Sequence, residues 1–376
     1  MKLVSGLEDF WRYRRVWFLP GARRSFARQC KARRADPARL DSRPLAYVEL
    51  TDPRSNGPKG RRLFLLFVML ERAGFHIVVR AHRGLFSDLE TKRFKRMLLA
   101  LPWQFWPPGQ PLPEGVVQVV DRPQLVLPGA RQQWRLQHEP AFDPTSAVVP
   151  MPFGMFPAHY VAGRDRAVAR WRETRKSWRL FFAGGWDAAN YDQPRLQTRY
   201  GVLSRYEILQ RLARELPPER IRIVETRAEL RALRAGYFNG FVWVRSPEVK
   251  LAGDEWFEML AASDCFLGAP GTNWPMCHHL VEALSVGTPL LLEYADLVYP
   301  PETRENALIA FQGKAGLRAQ LTALWAASPD TLASRRAAAI QAYEEGFRYD
   351  RFATRLLADP RKKIVIHTKP HERGSV

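Results

Sequence analysis

The sequence has 376 residues, 46% of them hydrophobic, which is long for one domain and enough for two full-sized cores. Its 58 Lys and Arg against 38 Asp and Glu give a formal net charge of +20, so anionic partners are expected: nucleotide diphosphates, anionic lipid, acidic glycan or nucleic acid. Three scattered cysteines exclude a disulfide framework. The longest apolar run, 63–70, is too short to span a membrane, and charges interrupt every apolar run before Arg34, so we expect a cytoplasmic protein.

Residues 1–40 form a basic N-terminal arm with eleven Lys and Arg and three Asp and Glu. Aromatic residues alternate with arginines between Phe10 and Leu19, a composition typical of segments in the headgroup region of a membrane. Pro20-Gly21 is expected to end a helix formed by this segment. The arm therefore predicts peripheral binding at the inner face of the membrane. The alternatives are a solvated arm that folds against the first domain and, less favoured, an arm that binds RNA.

Strand and helix signals alternate after the arm. Residues 44–50 predict a strand, 59–73 a helix closed by Gly74, and 75–80 a second strand. Further predictions are a helix over 86–99 and strands over 116–120, 134–137 and 147–149. The proline-rich stretch 102–113 is expected to be a loop, either a lid on the acceptor side or a rigid surface connection. The alternation indicates a parallel α/β sheet.

Three prolines in 150–157 forbid regular structure, so the crossover between two halves is expected there, with the boundary near residue 160. The predicted elements that follow are a basic helix over 161–176, a strand over 178–183, a helix over 206–215, strands over 221–225 and 241–244, and a helix over 256–263. Residues 317–347 are expected to be helical, 352–357 to form a last helix, and the tail from Lys362 to be mobile. The predicted domains are 41–160 and 161–345, with a C-terminal segment over 346–376.

The run from Ser263 to Glu293 reads as a strand, a glycine-bearing loop, a helix and a second strand. Pro275 suits the first turn of that helix, and Gly287 is expected to end it. The helix N-terminus offers free backbone N–H groups and the positive end of a dipole to an anion. His279 lies three positions before Glu282, which places an imidazole and a carboxylate on neighbouring parts of one face. The run therefore predicts a phosphate-binding unit.

The segment Glu282–Pro289, EALSVGTP, resembles the nucleotide-sugar site in the C-terminal half of GT-B glycosyltransferases. With its surroundings, SDCFLGAPG and EALSVGTPLLLEYADLVYP, it is most similar to the exostosin-like branch of that superfamily. The resemblance covers about 130 residues, from Trp178 to Phe311. It implies an α/β fold of the GT-B class, with two Rossmann-like domains facing across a cleft. Pro275 stands where many retaining members carry a second acidic residue.

In that superfamily a Glu at this position binds the ribose of the donor, and the adjoining loop and helix start hold its diphosphate. The resemblance gives those roles to Glu282 and to the segment 271–279. The glycine loop after the strand over 178–183 is expected to approach the donor closely, and Arg195 or Arg199 to offset the charge on the departing diphosphate. The residues expected to bind the donor are Gly184, Gly185, Arg195, Arg199, Gly271, Thr272, Asn273, His279, Glu282 and Thr288. The alternatives are that Glu282 pairs with a nearby arginine and that the arginines are solvated surface residues.

Asp52 and His82 are rival candidates for the catalytic base, because each follows a predicted strand of the first domain. The alternative roles are a cap at Pro53 for Asp52 and a place on the surface for His82. No metal is expected. The consecutive Cys277, His278 and His279 would point about 100° apart on a helix, and the chain has no Asp-x-Asp triplet.

The sequence thus predicts a metal-independent glycosyltransferase without a cofactor, which moves a sugar from a nucleotide-sugar to a glycan or lipid-linked acceptor in envelope polysaccharide synthesis. The alternative is a non-catalytic protein of the same fold that binds nucleic acid or anionic surfaces. Replacing Glu282 by Ala is expected to weaken nucleotide binding and to leave the fold intact.

Overall fold

The computed structural model describes residues 19–57, 59–138, 148–245, 249–272, 274–298 and 306–368. By its internal contacts the chain divides into two compact units. The first unit comprises 1–151 with 349–369, and the second comprises 152–348 with 370–376. The boundary lies at 151/152, compared with the expected position near residue 160. Residues 349–368 belong to the first unit and do not form a segment of their own.

The first unit is built on parallel strands with helices between them. Its strands are β1 (Leu45–Glu49), β2 (His76–Val79), β3 (Trp103–Phe105), β4 (Val117–Val120), β5 (Gln132–Gln137), β6 (Val148–Pro150) and, late in the chain, β13 (Lys363–His367). Its helices are α1 (Pro20–Ala32), α2 (Arg61–Arg72), α3 (Arg83–Phe86), α4 (Arg93–Leu98) and α14 (Tyr349–Ala358). Among the described residues the strands form one parallel sheet in the order β3-β2-β1-β4-β5-β13-β6. Every residue of α2 from Leu63 to Leu70 is buried, so this helix contributes much of the core.

Pro20 begins α1, because a proline in the first turn of a helix loses no hydrogen bond there. The helix that Pro20-Gly21 was expected to end falls on residues outside the described ones. Two other predictions for the first unit are wrong. The stretch 102–113, expected to be a loop, contains the edge strand β3, in which Trp103 and Phe105 are buried. Prolines are tolerated beside an edge strand. The tail from Lys362 continues directly into β13, which pairs with both β5 and β6.

The second unit has the same plan. Its strands are β7 (Trp178–Ala183), β8 (Ile221–Val224), β9 (Phe238–Val244), β10 (Ser263–Leu267), β11 (Leu290–Leu292) and β12 (Leu308–Ala310). Its helices are α5 (Pro157–Val161), α6 (Ala188–Tyr191), α7 (Pro194–Tyr200), α8 (Arg205–Glu215), α9 (Arg227–Arg234), α10 (Asp254–Ala261), α11 (His278–Ser285), α12 (Gly313–Ala326) and α13 (Pro329–Ala342). Within the described ranges the sheet order is β12-β11-β10-β7-β9-β8, with parallel pairing throughout.

Two helix predictions for the second unit change. The basic helix expected over 161–176 is α5 followed by short 3₁₀ turns, because Gly163 adopts a left-handed conformation (φ 68°) just after α5. The helical stretch over 317–347 is α12, α13 and one π-helical turn, and it is interrupted at Ser328, whose side chain caps α13.

Each unit is a parallel sheet flanked by helices, which is a Rossmann-like domain. The predicted fold class is therefore confirmed as an α/β chain with two Rossmann-like domains. In the part of the chain that the structure describes, no helix is long and apolar enough to cross a membrane.

Candidate functional site

The second unit contains a pocket of about 680 Å³ beside the carboxyl ends of β7 and β9 and the start of α11. In a parallel α/β sheet the carboxyl ends of the strands are the usual place for a ligand. Its lining includes Phe156, His159, Arg164, Gly184, Gly185, Trp186, Asp187, Val244, Arg245, Val249, Lys250, Leu251, Trp256, His278, His279 and Glu282. The pocket therefore has an apolar wall and several cationic or imidazole side chains.

The glycine loop after β7 approaches its neighbours too closely for side chains. A Cβ at Gly184 would lie 3.2 Å from Cε1 of His279, and one at Gly185 would lie 2.6 Å from the Tyr191 ring. Both glycines line the pocket. Because neither glycine has a side chain, the loop can lie close to the start of α11.

Arg205 holds two loops near the pocket together. Its Nε donates to the carbonyl of Pro270 (2.8 Å) and its Nη1 to the carbonyl of Gly185 (2.9 Å). The guanidinium lies 4.2 Å from the Tyr191 ring centroid, and the residue is buried. This arginine, which the sequence did not single out, therefore places a positive charge beside the glycine loop.

Glu282 is fully buried in the wall of the pocket. Its Oε1 accepts a hydrogen bond from the backbone N–H of Phe156 (2.8 Å), and its Oε2 accepts one from Nε1 of Trp256 (2.7 Å). Nε2 of His159 lies 3.5 Å from Oε1. The partners of this carboxylate thus include a backbone amide, an indole and an imidazole.

His159 is buried beside this carboxylate. Burial, and then the nearby charge of Arg164, lower the pKa of His159 to about 4. Its ring packs edge-on to Phe257, with centroids 4.7 Å apart. Its Nδ1 is buried without a hydrogen-bond partner. The side chain is therefore neutral at pH 7.

His278 and His279 occupy the first turn of α11, where their ring centroids are 4.3 Å apart. Potential ligand atoms of His278, His279 and Glu282 lie within 4.8 Å of one another. The expectation that consecutive histidines diverge is thus wrong for this pair, while Cys277 precedes the helix at its N-cap. Both oxygens of Glu282 already accept hydrogen bonds, and the N-terminus of α11 carries the positive end of the helix dipole. The arrangement suits an anion better than a cation.

The remaining charges at the pocket are mostly positive. Arg164 pairs with Asp254 (2.7 Å), Arg245 pairs with Glu225, and Lys250 also lines the wall. The apolar wall consists of Val244, Val249, Leu251 and Trp186. Nε1 of Trp186 donates to the carbonyl of Arg245 (2.8 Å), and this fixes the orientation of the indole. A ligand with an anionic part and a flat apolar part fits this distribution.

Several predicted donor residues lie away from the pocket. The predicted donor residues that do not line it are Arg195, Arg199, Gly271, Thr272 and Thr288, and Asn273 falls outside the described residues. Arg195 is exposed on α7, where its Nη2 donates to Oε1 of Gln193 (3.4 Å). The hydroxyl of Thr288 is buried and donates to the carbonyl of Leu260 (2.8 Å).

The loop before α11 is closed by its own backbone. The N–H of Gly271 donates to the carbonyl of Pro275 (3.0 Å), and a Cβ at Gly271 would lie 2.5 Å from the carbonyl oxygen of Trp274. Pro275 therefore belongs to this turn, and α11 begins three residues later than predicted, at His278. The turn explains the glycine without a ligand.

In the first unit, Asp52 caps the 3₁₀ turn Pro53–Asn56 by accepting from the N–H of Arg54, and it also pairs with the Arg54 side chain (2.6 Å). Burial raises the pKa of Asp52, but the hydrogen bonds from Arg54 outweigh it and lower the pKa overall. His82 precedes α3, and burial lowers its pKa. The structure gives Asp52 the capping role that was its alternative.

Sequence reasoning missed a polar network at the carboxyl ends of β1, β4 and β5. Asp121 accepts from the N–H of Asp52 (2.6 Å) and from Oγ of Ser55 (3.1 Å). Oγ of Ser55 lies 2.8 Å from Nε2 of His138, and Nδ1 of His138 lies 2.8 Å from Oγ1 of Thr368. Isolated polar residues at strand ends were the available signal for Asp121 and His138. No comparable signal marked Arg205 or His159.

No protein-family model matches the sequence, and no curated protein matches it significantly. Several solved structures have a similar fold. One is the Candida albicans trehalose-6-phosphate phosphatase N-terminal domain, which is 10% identical in sequence and has a TM-score of 0.44. That match covers 87% of this chain and 98% of the other chain. WaaG, a glycosyltransferase involved in lipopolysaccharide biosynthesis, matches at 12% identity over 83% of this chain and 99% of that chain, with a TM-score of 0.35. Anabaena Alr3699/HepE in complex with UDP and glucose matches at 12% identity, 83% and 99% coverage and a TM-score of 0.37. These likenesses concern the fold alone, and we draw nothing about chemistry from them.

Proposed function

We propose that the protein is a glycosyltransferase whose second unit binds a nucleotide-sugar in the pocket at the start of α11. The observation that carries this proposal is the pocket itself, which combines a glycine loop, the N-terminus of a helix, basic side chains and an apolar wall. A diphosphate fits the glycine loop and the helix start, because both present backbone N–H groups. A nucleobase fits the apolar wall beside Trp186.

We further propose that the protein is related to the exostosin-like branch and that sugar transfer needs neither a metal nor a cofactor. The proposed acceptor is a glycan or a lipid-linked molecule. The proposed role is in envelope polysaccharide synthesis at the cytoplasmic face of the membrane. Glu282 is proposed to accept hydrogen bonds from the ribose hydroxyls of the donor, since it lies in the wall of the pocket. His279 is proposed to contact the donor phosphate, since it lines the pocket at the helix start.

Thermal unfolding in the presence of UDP, GDP, CDP or ADP tests the donor site. A ligand at 100 times its Kd adds about 2.7 kcal/mol to the stability of the folded state, and this raises Tm by several degrees. We expect one nucleoside diphosphate at millimolar concentration to raise Tm and the others to do so much less. If none raises it, the donor-site proposal fails.

Two variants locate the binding. His279→Ala, in the pocket, should abolish most of the nucleotide-dependent rise in Tm, whereas Arg195→Ala, on the exposed face of α7, should leave it unchanged. An equal loss in both variants would show that the ligand binds elsewhere. A nucleotide that binds while no sugar nucleotide is hydrolysed or transferred would favour the non-catalytic alternative.

A further inference from the structure

A cavity of about 770 Å³ lies in the first unit between the N-terminal half of α1 and residues 87–92, which join α3 to α4. Its wall on the α1 side includes Gly21, Arg24, Ser25 and Arg28, which lie on one side of the helix because they recur at spacings of three and four. The opposite wall is formed by Ser87, Asp88, Glu90, Thr91 and Lys92. This cavity shares no lining residue with the pocket of the second unit.

The first turn of α1 forms part of the cavity wall. Leu19, Pro20, Gly21 and Ala22 all line the cavity. No side chain caps this end of the helix, and its first turn contains no Asp or Glu. Helix geometry leaves the N–H groups of Gly21 and Ala22 without partners inside the helix, and these groups carry the positive end of the dipole. The first turn therefore offers hydrogen-bond donors to an anion.

The charged side chains at the cavity leave an excess of positive charge. Both carboxylates in the wall already have cationic partners, which pair as Glu90 with Arg28 (2.7 Å) and Asp88 with Lys95. Arg24 and Lys92 also line the cavity, and within the described residues neither of them forms an ion pair. Two cations are thus available to an anionic ligand, and the carboxylates beside them are neutralised.

A buried hydroxyl in the same wall lacks a partner. Ser87 follows α3 directly, and only 1% of its surface is exposed. Its Oγ forms no hydrogen bond in the part of the chain that the structure describes. A buried hydroxyl without a partner costs free energy, and native proteins rarely leave one in that state. An oxygen of a ligand in the cavity would supply the missing partner.

We propose that this cavity binds a phosphate monoester. Such a group carries a charge of about −1.5 to −2 at pH 7 and three terminal oxygens, which match two cations, the N–H groups of the first turn and one hydroxyl. A carboxylate has one charge and two oxygens, and would leave part of this set unused. The apolar part of the wall, with Leu19, Pro20 and Ala22, accommodates the organic group of the ester. This inference does not rest on the proposed donor site.

Calorimetric titration of the full chain with glycerol 3-phosphate tests the proposal, with glycerol as the uncharged control ligand. We expect the ester to bind and glycerol not to bind. Arg24→Ala with Lys92→Ala should weaken binding of the ester by at least about tenfold, because two charge-assisted contacts with the phosphate are lost. Neither residue belongs to an ion pair within the described ranges, so this variant should keep the Tm of the wild type.

A matched control removes the same amount of charge elsewhere. Lys31→Ala with Arg96→Ala changes exposed cations of α1 and α4 that do not line the cavity. We expect this control to weaken binding by less than about twofold, since distant exposed charges are screened. His279→Ala, in the pocket of the second unit, should also retain the binding. Equal losses in the two double variants, or a loss confined to His279→Ala, would overturn the proposal.

Ser87→Ala separates a role in binding from a role in the fold. The hydroxyl makes no hydrogen bond in the described chain, so its removal should leave the Tm of the protein without ligand unchanged or slightly higher. Binding of glycerol 3-phosphate should weaken by about threefold to tenfold. A lower Tm with unchanged binding would overturn the assignment of this hydroxyl to the ligand.

Vesicles distinguish a soluble ester from a lipid headgroup, because phosphatidic acid carries the same glycerol phosphate monoester. Co-sedimentation with phosphatidylcholine vesicles, with and without phosphatidic acid, measures binding to the lipid. Binding of glycerol 3-phosphate in solution supports a soluble ligand. Binding that is confined to phosphatidic acid vesicles and lost in Arg24→Ala with Lys92→Ala supports a lipid. If the protein binds neither form, the proposal is wrong.

Discussion

Glu282 contributes to the structure as well as to the proposed site. It was chosen from the sequence as a ligand for ribose, and the structure shows both its oxygens already accepting hydrogen bonds in a fully buried place. Its replacement by Ala would leave the Phe156 N–H and the Trp256 indole without acceptors. The expectation that such a variant keeps the fold intact is therefore revised, because unmade buried hydrogen bonds are costly.

Glu282→Gln should destabilise the protein by about 1–3 kcal/mol, because the new amide nitrogen must face one of the two donors. The free energy of unfolding from urea titration measures this. The matched control is Glu258→Gln on α10, where the carboxylate is 43% exposed and pairs with Arg234 at the surface, so a much smaller change is expected. Equal effects in the two variants would contradict the structural role.

His159 makes the stability of the protein depend on pH. Its pKa is lowered from 6.5 to about 4 by burial first and then by Arg164. Between these values the unfolded chain binds more protons than the folded chain, so lowering the pH destabilises the fold. When the pH is lowered from 7 to 5, the free energy of unfolding of the wild type should fall by on the order of 2 kcal/mol more than that of His159→Gln. The measurement is urea unfolding of both proteins across this range.

The difference between wild type and variant isolates His159, since the other groups titrate in both proteins. The opposite result would be a larger loss of unfolding free energy in the variant. It would mean that Glu282, 3.5 Å away, stabilises the protonated imidazole more than burial destabilises it.

At the scale of elements, local patterns predicted the central strands best. β1, β2 and β4 lie within a residue or two of the predicted ranges, because a buried parallel strand is a continuous apolar run. α6 and α7 were missed because they are short. α9 was missed although Thr226 and Glu229 form a capping box at its start, a signal that the sequence did offer. β13 was missed for another reason: its partners β5 and β6 lie more than 200 residues earlier.

The position of β13 in the middle of a sheet gives a direct test. Ile366 is fully buried there, so Ile366→Ala should destabilise the protein by about 2–5 kcal/mol. Lys363→Ala, at the exposed start of the same strand, should have little effect on the free energy of unfolding. If residues 363–367 were a mobile tail, neither substitution would change the denaturant midpoint.

At the scale of the whole molecule, the first unit is built from two parts of the chain that are far apart in sequence. α14 and β13 return to it after the second unit is complete, and Nε2 of Gln132 donates to the carbonyls of Leu356, Asp359 and Arg361 in this returning segment. The two N–H groups of this one amide are thus shared among three carbonyls of the returning segment. The returning segment is consequently part of the sheet and its core.

The sequence by itself determined the fold class, the two-domain plan and the helix and glycine loop beside the pocket. These follow from local information: hydrophobic period, glycine and proline positions, and one short motif. Only the tertiary structure decided which side chains meet. It brought His159, Trp256 and Glu282 together, placed Arg205 against the glycine loop, and inserted β13 between β5 and β6. Such contacts join residues distant in sequence, and the packing that selects them leaves no mark on the local pattern of any one segment.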